Sequence, residues 1–497
     1  MKKGVHNKTK SKGSFYITTT LPYVNAKPHI GFALEIVQAD VVARYHTLLG
    51  EEVFFNFGTD EHGQKIYQRA LEEGKDPQKY TDYYAAQFDE LKKALNLSYN
   101  NFIRTTDTHH KKASQEIWNR CLKNGFIEKG IYKAKYCVGC ELEKQDSDLE
   151  GGKCPVHPNL DLEQIEEENY FFKFSLFQNK LLNLYEKSSN FVVPRHRLKE
   201  ITNFVSAGLT DFSVSRLKEK MPWGVEVPGD DKHVMYVWFD ALTNYISALG
   251  WPEDENKFTK FWGSIDNPKA LQVAGKDNLR QQSAMWQAML MAANLPPSRQ
   301  IFIHGFITSA NQKMSKSLGN VIDPFEYVAN YGTDALRYYL LSKISPTEDS
   351  DFTKKKFEEV YNADLANGLG NLAARVAALA KNTAGYKFEV AKDHVNSLWQ
   401  NVGTEIEKFS FDNALSLIWE TIKSTDRYLN NERPWLLNLS ESSQKISMFN
   451  VLNTAIQNLV DVAQSLRPFL PQTAEKIEEQ FSAKNITSQS PLFPRIS

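Results

Sequence analysis

The sequence predicts an α/β protein in which a parallel, doubly wound sheet is split by an insertion and followed by an α-helical bundle. Residues 14–21 are rich in β-branched and aromatic side chains and read as a strand, and a helical pattern follows over residues 29–50. Two further short apolar strands are predicted at 271–274 and 301–303. Beyond about Asp351 the pattern changes to long amphipathic helices. Strands that alternate with helices favour a parallel sheet, which binds its ligands at the carboxyl ends of the strands.

The first helix is predicted to begin directly after a strand and a proline-rich turn. Its start aims free backbone N–H groups and the positive end of the helix dipole at any phosphate above the sheet. Gly31 would let a phosphate or an adenine approach the backbone closely, and His29 offers a ring donor to a phosphate oxygen. Gly50 is predicted to end this helix.

The second phosphate-binding candidate is the loop at residues 313–317, which reads Lys-Met-Ser-Lys-Ser. Lys313 and Lys316 bring two ammonium groups, and Ser315 brings one of two hydroxyls, so the loop can wrap a triphosphate and meet the charge of a departing pyrophosphate. A basic pentapeptide alone is more often a solvated turn. Here a predicted buried strand ends at His304 just before the loop, after a helix predicted over 278–293, and that context favours binding.

Three of the four cysteines cluster with a histidine. Cys137 and Cys140 form one closely spaced pair, and Cys154 and His157 form another after a short loop. Two such pairs predict a closed tetrahedral site, and its thiolate and imidazole ligands favour zinc in a structural role. Two disulfides are the alternative, and the absence of a signal peptide argues against them. Cys121 has no nearby partner and is predicted to be a small buried hydrophobe.

Length and charge limit the other possibilities. A chain of 497 residues should hold about three domains, and its net charge of −1 is not that of a non-specific nucleic-acid binder, so any basic surface must be local. The most apolar helical stretch, at 283–295, is too short to span a bilayer. The first residues form a basic, polar tail that is expected to be disordered. We therefore expect a cytoplasmic protein with no membrane partner.

Several motifs together resemble one family. Residues 313–317 resemble the KMSKS signature of class I aminoacyl-tRNA synthetases, and residues 29–32, His-Ile-Gly-Phe, resemble their HIGH signature. Phe32 departs from it, because the family has His or sometimes Asn there. Residues 58–63, Gly-Thr-Asp-Glu-His-Gly, and residues 237–245 look like methionyl-tRNA synthetase, as does Gly-Lys-Asp at 275–277, in the same order along nearly the whole chain.

The resemblance implies two sets of small-molecule ligands. An Asp60 carboxylate can hold an α-ammonium group, and an aromatic pocket favours a polarizable thioether. One departure concerns Gln282, which stands where the family commonly has His and still offers an amide donor. The methionine-binding set is Leu21, Tyr23, Asp60, Trp238, Ala241, Tyr245, Gln282 and Trp286. The ATP-binding set is His29, Gly31, Glu35, Gly275, Asp277, His304, Lys313, Ser315 and Lys316.

The resemblance also implies the activity. Methionine and ATP would give methionyl-adenylate, and the methionyl group would then move to the 3′ end of tRNA. Lys316 is the first candidate for stabilising the departing pyrophosphate and Lys313 the second, with His29 as the third catalytic residue. Magnesium is expected with the ATP phosphates, although no motif of its own marks it.

A third set of residues lies in the predicted helical bundle. Asn367, Asn371 and Arg375 recur at helical spacing, and Pro434 and Trp435 follow a polar turn. A solvated helix face and a loop-anchoring Trp are the alternatives to base recognition. By resemblance, these positions read the CAU anticodon of the tRNA, where an exposed Trp can stack on an unpaired base.

The resemblance gives the domain organisation, and a monomer is expected because the chain ends soon after the bundle. The predicted regions are a basic tail over 1–13, a Rossmann-like catalytic domain in two halves over 14–110 and 224–325, a connective zinc-binding insertion over 111–223, a stem-contact region over 326–352 and a helical anticodon-binding domain over 353–497. Two other hypotheses stay open: a catalytically impaired paralogue that binds tRNA, and a small-molecule adenylyltransferase.

Overall fold

The computed structural model describes residues 13–140, 142–144, 146–314, 319–381, 383, 386–391 and 396–496. These residues form two compact units that interleave along the chain. The first unit holds the described residues up to Pro28, then Leu49–Lys92 and Ser98–His304. The second holds His29–Leu48, Lys93–Leu97 and the described residues from Gly305 onwards. The predicted disordered tail lies outside the described residues, apart from Gly13.

The regular elements are numbered in chain order. The strands are β1 Ser14–Thr19, β2 Glu52–Thr59, β3 Asn101–Arg104, β4 Ile127–Cys137, β5 Leu142–Lys144, β6 Glu163–Phe172, β7 Val192–Val193, β8 Phe212–Ser213, β9 Ser215–Leu217, β10 Glu226–Val227, β11 Asp230–Met235, β12 Leu271–Gly275, β13 Gln300–His304, β14 Ile307–Ser309, β15 Gln312–Lys313 and β16 Ser350–Phe352.

The helices follow the same scheme. They are α1 Ile30–Leu48, α2 Gln64–Glu72, α3 Pro77–Asp89, α4 Leu91–Ala94, α5 Thr108–Lys123, α6 Gln178–Lys187, α7 Arg195–Ser206, α8 Val237–Ala241, α9 Asn244–Ser247, α10 Glu255–Phe261, α11 Trp286–Ala292, α12 Pro324–Tyr331, α13 Thr333–Ser342, α14 Lys354–Val360, α15 Asn371–Lys381, α16 Ser397–Glu407, α17 Phe411–Glu432, α18 Ser442–Leu466 and α19 Pro471–Phe481. Short 3-10 turns lie at Asp146–Asp148, Phe174–Phe177, Lys276–Asn278 and Pro434–Leu436, and π-helical turns at Gln281–Met285 and Tyr361–Gly370.

The first unit is built on a six-stranded parallel sheet with the strand order β3-β2-β1-β12-β13-β7. The parallel, doubly wound sheet predicted from the sequence is therefore confirmed. The β2 and β3 backbones approach so closely that a Cβ on Gly58 would lie 1.8 Å from the Ile103 carbonyl oxygen, so only glycine fits there. The edge strand β7 comes from within the stretch that the sequence analysis assigns to the insertion.

That stretch also forms an antiparallel sheet with the order β5-β4-β6-β8. The long β4 and β6 strands pair in register from Ile127–Phe172 to Tyr136–Glu163. Cys137 ends β4, so the first cysteine pair leaves the tip of this ribbon. Cys121 lies in the apolar core of the same unit, as predicted, and burial raises the pKa of its thiol.

One element differs from its prediction. The sequence pattern indicates a single helix over 278–293, but the structure has a π-helical turn at Gln281–Met285 before α11 begins at Trp286. The Gln287 side-chain Nε2 donates a hydrogen bond to the Gln282 carbonyl over 2.9 Å. This bond supplies a donor to a carbonyl within the widened π-helical turn. The pattern of apolar residues cannot distinguish a π-helical turn from an α-helix here, because the side chains of both segments are buried.

The second unit contains α1 and the C-terminal helices. Helix α1 is buried on nearly every side, which explains its almost continuous apolar sequence. Within this unit α1 packs on α13 and α16, and α15 to α19 pack on one another as a bundle. The predicted helical character beyond Asp351 is confirmed. No helix in the described part of the chain is long and apolar enough to cross a membrane.

One buried cation fastens α1 inside this unit. The Arg337 guanidinium on α13 lies 2.8 Å from the Asp40 carboxylate on α1, and both side chains are fully buried. The same guanidinium donates to the backbone carbonyls of Leu95, Pro468 and Phe469 over 2.7–3.1 Å. Arg337 thus joins three separate chain segments with all its charge compensated.

We predict that Arg337→Met lowers the free energy of unfolding by about 3–5 kcal/mol, because the buried Asp40 carboxylate keeps only its pair with Arg44 and three backbone carbonyls lose their donor. Urea unfolding followed by circular dichroism measures the loss. Arg69→Met is the matched control, since Arg69 forms an exposed pair with Glu72 and its loss should change stability by less than about 1 kcal/mol. Equal effects of the two substitutions would contradict the assigned role of Arg337.

Candidate active site and metal centre

The predicted methionine-binding residues lie in the first unit, and three of them, Leu21, Tyr23 and Asp60, follow the carboxyl ends of its parallel strands. Strand β1 leads to Leu21 and Tyr23, and the neighbouring β2 leads to Asp60. An isolated parallel bridge joins Tyr23 and Asp60, with Asp60 N donating to Pro22 O over 3.0 Å and Val24 N donating to Asp60 O over 3.2 Å. The backbone therefore sets the buried Asp60 carboxylate against the turn after β1.

The residue after Asp60 is a buried carboxylate with a full set of partners. The two carboxylate oxygens of Glu61 accept hydrogen bonds from Nε and Nη2 of Arg104, at 2.6 and 2.8 Å. The hydroxyls of Thr59 and Thr106 donate to its two oxygens over 2.7 and 2.5 Å. A bidentate guanidinium and two hydroxyls compensate this buried charge. Glu61 therefore fixes the strand end that carries Asp60.

The next residue, His62, ties the same strand end to α8. Its Nδ1 lies 2.6 Å from one oxygen of Asp240, and His110 Nε2 lies 2.8 Å from the other. All three side chains are buried. Burial alone raises the pKa of the Asp240 carboxyl, but the charge and hydrogen bonds of the two imidazoles outweigh it and hold that pKa well below its ordinary value. Helix α8, which carries Trp238, is thereby fixed relative to Asp60.

Three of the four aromatic residues of the predicted methionine pocket lie on α8, α9 and α11, and the fourth, Tyr23, lies in the turn after β1. Trp238 and Ala241 are on α8, and Tyr245 on α9 has its carbonyl held by the Tyr16 hydroxyl over 2.6 Å. The Trp286 ring is wholly buried with its centroid 5.9 Å from that of Tyr245. Trp286 therefore packs behind Tyr245, and Gln282 hydrogen-bonds to the Tyr245 hydroxyl.

The predicted adenosine residues of the first unit also meet. A Cβ on Gly275 would lie 2.8 Å from Asp277 Oδ1 and 3.5 Å from His304 Cε1. The bare glycine at the end of β12 therefore leaves room between an acidic and an imidazole side chain at the ends of neighbouring strands. Such a polar niche suits a ribose or an adenine edge.

His29 and Gly31 lie in the second unit, where they contact each other. The Gly31 N–H donates to His29 Nδ1 over 3.1 Å, so the neutral ring carries its hydrogen on Nε2. Burial lowers the pKa of His29 from 6.5 to about 4, so the ring is neutral at pH 7. Phe32 packs on it with the ring centroids 4.3 Å apart. Instead of a fourth polar group, this position supplies apolar cover for His29.

The second signature lies in the same unit and is partly described. Strands β14 and β15 form a hairpin that ends at Lys313, and Asp351 Oδ1 accepts from Thr308 Oγ1 and from Asn311 N over 2.8 and 2.6 Å. Ser315 and Lys316 lie outside the described residues. The Ile30 N–H at the start of α1 donates to Ile322 O, beyond that loop, over 3.0 Å. Glu35 is buried on α1.

Cys137, Cys140, Cys154 and His157 converge in the first unit, as their spacing predicts. One ligand atom from each lies within 4.8 Å of the others, with His157 Nδ1 3.2 Å from Cys140 Sγ and 3.8 Å from Cys137 Sγ. Ligands about 2.3 Å from a tetrahedral centre stand roughly 3.8 Å apart, so this group fits a metal ion. A Cβ on Gly139 would lie 2.6 Å from the His157 ring, so the knuckle requires glycine.

Two of the predicted anticodon residues stack in the second unit. The Arg375 guanidinium lies 4.5 Å from the centroid of the Trp435 ring, which is 45% exposed, whereas Pro434 is buried. Arg375 is held by Asp426 and Asn430 over 2.9 and 2.7 Å. A flat guanidinium against an open indole is a surface on which a base can stack.

The two asparagines lie on neighbouring helical turns of this surface. Asn367 and Asn371 are exposed, the first on the π-helical turn and the second at the start of α15. Asn367 lines a cavity of about 430 Å³ together with Asp426 and Arg427. Asp426 therefore connects that cavity to Arg375.

Several residues that shape the site were not singled out by the sequence analysis. Glu61, His62 and Asp240 stand inside motifs that it quotes, but their partners Arg104 and His110 are far along the chain. For Asp240 a signal was available in its type, because an ionisable residue within the apolar run 237–242 needs a compensating partner. The polar motif at 58–63 gives no such signal for Glu61 or His62.

Together, the parallel sheet with polar residues after its strands and the helical bundle are those of a class I aminoacyl-tRNA synthetase. The family model described as tRNA synthetases class I (M) matches residues 15–163 and 159–377, and the model described as anticodon-binding domain of tRNA ligase matches residues 391–497. The chain therefore belongs to the methionyl family of class I tRNA synthetases.

Individual relatives agree with this placement. The methionine–tRNA ligase of Nostoc sp. is 39% identical over 98% of this chain and 93% of its own, and that of Caldanaerobacter subterraneus is 40% identical over 94% and 74%. The structure of Mycobacterium tuberculosis methionyl-tRNA synthetase in complex with methionyl-adenylate superposes with a TM-score of 0.91 and 32% identity, covering 97% of this chain and all of that one.

We predict that Phe32→Asn raises the pKa of His29 from about 4 towards 6.5, because it removes apolar cover from the ring. Nuclear magnetic resonance titration of the ring measures it, with Phe32→Leu as the control that keeps the cover. In the unsubstituted chain the folded-state pKa lies below the unfolded one, so the unfolded chain takes up the proton first and stability falls between pH 6.5 and about 4. A pKa that is the same in both variants would contradict this role of Phe32.

We predict that Gly139→Ala weakens metal binding although it removes no ligand, because its Cβ would press on the His157 ring. Metal content after dialysis against a chelator measures the effect. Val138→Ala is the neighbouring control, since it adds no atom near the ring. Full metal retention by Gly139→Ala would show that the knuckle differs from the one described.

Proposed function

We propose that this chain is a methionine–tRNA ligase that forms methionyl-adenylate from methionine and ATP and passes the methionyl group to the 3′-terminal adenosine of tRNA. The observation that carries the proposal is that a family match over nearly the full chain coincides with an intact set of strand-end ligands. Asp60 and the Gly275–Asp277–His304 niche lie at the carboxyl edge of one sheet, and Tyr245 on α9 belongs to the same unit.

The first step needs no general base. The methionine carboxylate is ionised at neutral pH, so its oxygen attacks the α-phosphorus directly, forming an O–P bond while the bond to pyrophosphate breaks. The work of the protein is to place the two reactants and to stabilise the charge that gathers on the leaving group. We assign that stabilisation to Lys316 first and to Lys313 second.

We propose that His29 binds phosphate as a neutral hydrogen-bond donor and not as a cation. Because its Nδ1 accepts from Gly31 and its pKa is about 4, the neutral ring offers its Nε2–H as a hydrogen-bond donor to a phosphate oxygen. The first backbone N–H groups of α1 already have acceptors, Ile322 O for Ile30 and His29 Nδ1 for Gly31, so the phosphate contact expected at this helix start falls to the His29 ring. We place Glu35 with the adenosine residues.

Methionine is proposed to bind at the edge shared by β1 and β2. The Asp60 carboxylate holds the α-ammonium group by a charge-assisted hydrogen bond. The side chain lies among the aromatic and apolar residues of the predicted set, where the polarizable sulfur is favoured. The set consists of Leu21, Tyr23, Trp238, Ala241, Tyr245, Gln282 and Trp286.

For tRNA, we propose that the exposed Trp435 and Arg375 accept an anticodon base, helped by Asn367, Asn371 and Pro434. The metal at the Cys₃His group is proposed to be structural zinc, because a closed set of three thiolates and one imidazole suits it, and Mg²⁺ is expected with ATP. We further propose that the protein acts as a cytoplasmic monomer with the domain division given above.

The experiment that tests this function is methionine-dependent exchange of labelled pyrophosphate into ATP. The proposal requires exchange that depends on methionine, followed by charging of a tRNA with a CAU anticodon. Tight tRNA binding without exchange would favour the impaired paralogue, and exchange without tRNA binding would favour an adenylyltransferase.

We predict that Lys316→Ala slows adenylate formation roughly a hundredfold while the Kd for methionine changes little, because the lost ammonium group acts on the transition state. Single-turnover adenylate formation and equilibrium dialysis measure the two quantities. The control is the exposed Lys354→Ala. Equal losses of rate and binding would show that the loop only supports the fold.

We predict that Trp435→Ala lowers kcat/KM for tRNA charging roughly tenfold, as expected for loss of one base-stacking contact, and leaves pyrophosphate exchange unchanged. The adjacent Leu436→Ala is the control, because Leu436 is also exposed and has no stacking surface. A parallel loss of exchange would identify Trp435 as a packing residue.

A further inference from the structure

A buried asparagine interrupts the apolar strand β2, which lies between β1 and β3 in the parallel sheet. Both neighbours of Asn56 in the sequence are phenylalanines, Phe55 and Phe57, and the Asn56 side chain is fully buried. Burial of an amide costs free energy unless hydrogen bonds replace those that it made with water. An apolar residue would fill this position without that cost, so the hydrogen bonds of Asn56, rather than its packing, account for its presence.

Two of these hydrogen bonds run along one level of the sheet. Thr18 on β1, Asn56 on β2 and Asn101 on β3 are register partners. Asn101 Nδ2 donates to Asn56 Oδ1 over 2.8 Å, and Asn56 Nδ2 donates to Thr18 Oγ1 over 3.1 Å. The side-chain amide of Asn56 is therefore held from both neighbouring strands.

A third hydrogen bond leaves the sheet and reaches α9. Asn56 Nδ2 lies 3.4 Å from Asn244 Oδ1, and Asn244 Nδ2 donates to the Ala241 carbonyl over 2.6 Å. A backbone carbonyl can only accept, so the Asn244 atom that contacts it is nitrogen and the atom that faces Asn56 is oxygen. The buried Asn244 side chain therefore connects the sheet to the last residue of α8.

The corner between α8 and α9 carries two residues of the proposed methionine pocket, Ala241 and Tyr245. Its two ends are held separately, at Asp240 by two imidazoles and at the Tyr245 carbonyl by a tyrosine hydroxyl from β1. Between these ends, in the part of the chain that the structure describes, the bond from Asn56 to Asn244 is the side-chain hydrogen bond that joins the corner to the sheet. Its loss would leave the Asn244 oxygen buried without a donor.

We propose that Asn56 is a positioning residue for methionine binding, and that it acts through Asn244 on the corner that carries Ala241 and Tyr245. This inference rests on the proposed function, since those two residues must line the methionine pocket. ATP is assigned to other residues. The KM for methionine should therefore depend on Asn56, and the KM for ATP should not.

Asn56→Leu tests the proposal, because leucine branches at the same carbon and forms no side-chain hydrogen bond. We expect the KM for methionine in pyrophosphate exchange to rise about tenfold, as when a buried polar atom loses its partner. The value of kcat and the KM for ATP should change by less than about twofold, since the interaction supports binding of one substrate and not the transition state. A purely structural role would lower stability without separating the two substrates.

Asn100→Ala is the matched control. The Asn100 side chain also bonds to β2, donating to the Val53 carbonyl over 2.8 Å and accepting from the Phe55 N–H over 2.9 Å. It has no hydrogen bond to α9 among the described residues. Urea unfolding should show a loss of stability in Asn100→Ala, while its KM for methionine should equal that of the unsubstituted enzyme.

A double-mutant cycle shows whether the effect passes through Asn244. Asn244→Ala alone should raise the KM for methionine to a similar extent, and Asn56→Leu should then add little in that background. Should Asn56→Leu not fold, Asn244→Ala leaves the bonds within the sheet intact and is scored in the same way.

Three results would overturn the inference alone: an unchanged KM for methionine in Asn56→Leu, an equal rise in the KM for methionine and for ATP, or full additivity of the Asn56→Leu and Asn244→Ala effects. Absence of methionine-dependent exchange in the unsubstituted enzyme would overturn the proposed function as well.

Discussion

The shared carboxyl edge of one parallel sheet is the constraint on which the site of the first unit depends. Since β1, β2, β12 and β13 run in one direction, the segments that follow them meet at one edge, although β2 ends at Thr59 and β12 begins only at Leu271. A polar residue placed just after any of these strands joins the same cluster. Asp60 and the Gly275–His304 niche are examples.

Buried charges with compensating partners fix the positions of the site residues more closely than the sheet alone does. In the first unit, Glu61 binds Thr59 and Asp240 binds His62, so the chain is held both before and after Asp60. Each of these two carboxylates has a hydrogen-bond partner on both oxygens. In the second, Arg337 fastens α1, and with it His29, by one carboxylate and three carbonyls. In both cases buried ion pairs position the functional side chains, and removal of one partner would leave a buried charge poorly compensated and destabilise the fold.

Much of this arrangement could be predicted from the sequence, because it depends on local patterns. The strand at residues 14–19, the helix that ends before Gly50 and the Cys137–His157 group follow from apolar periodicity, glycine position and ligand spacing. The π-helical turn before Trp286 and the link between Asp240 and His110 could not, because long-range partners decide them. Phe32 illustrates both limits. The sequence shows that position 32 lacks the polar side chain of the family signature, but only the structure shows that the Phe32 ring packs on His29 instead.

We expect this chain to activate methionine although Phe32 and Gln282 depart from the family pattern. Active-site titration tests it most directly, since a rapid burst of pyrophosphate release in the presence of methionine counts the chains that form adenylate. We expect a methionine-dependent burst that approaches one pyrophosphate per chain. Methionine binding with no burst would contradict it.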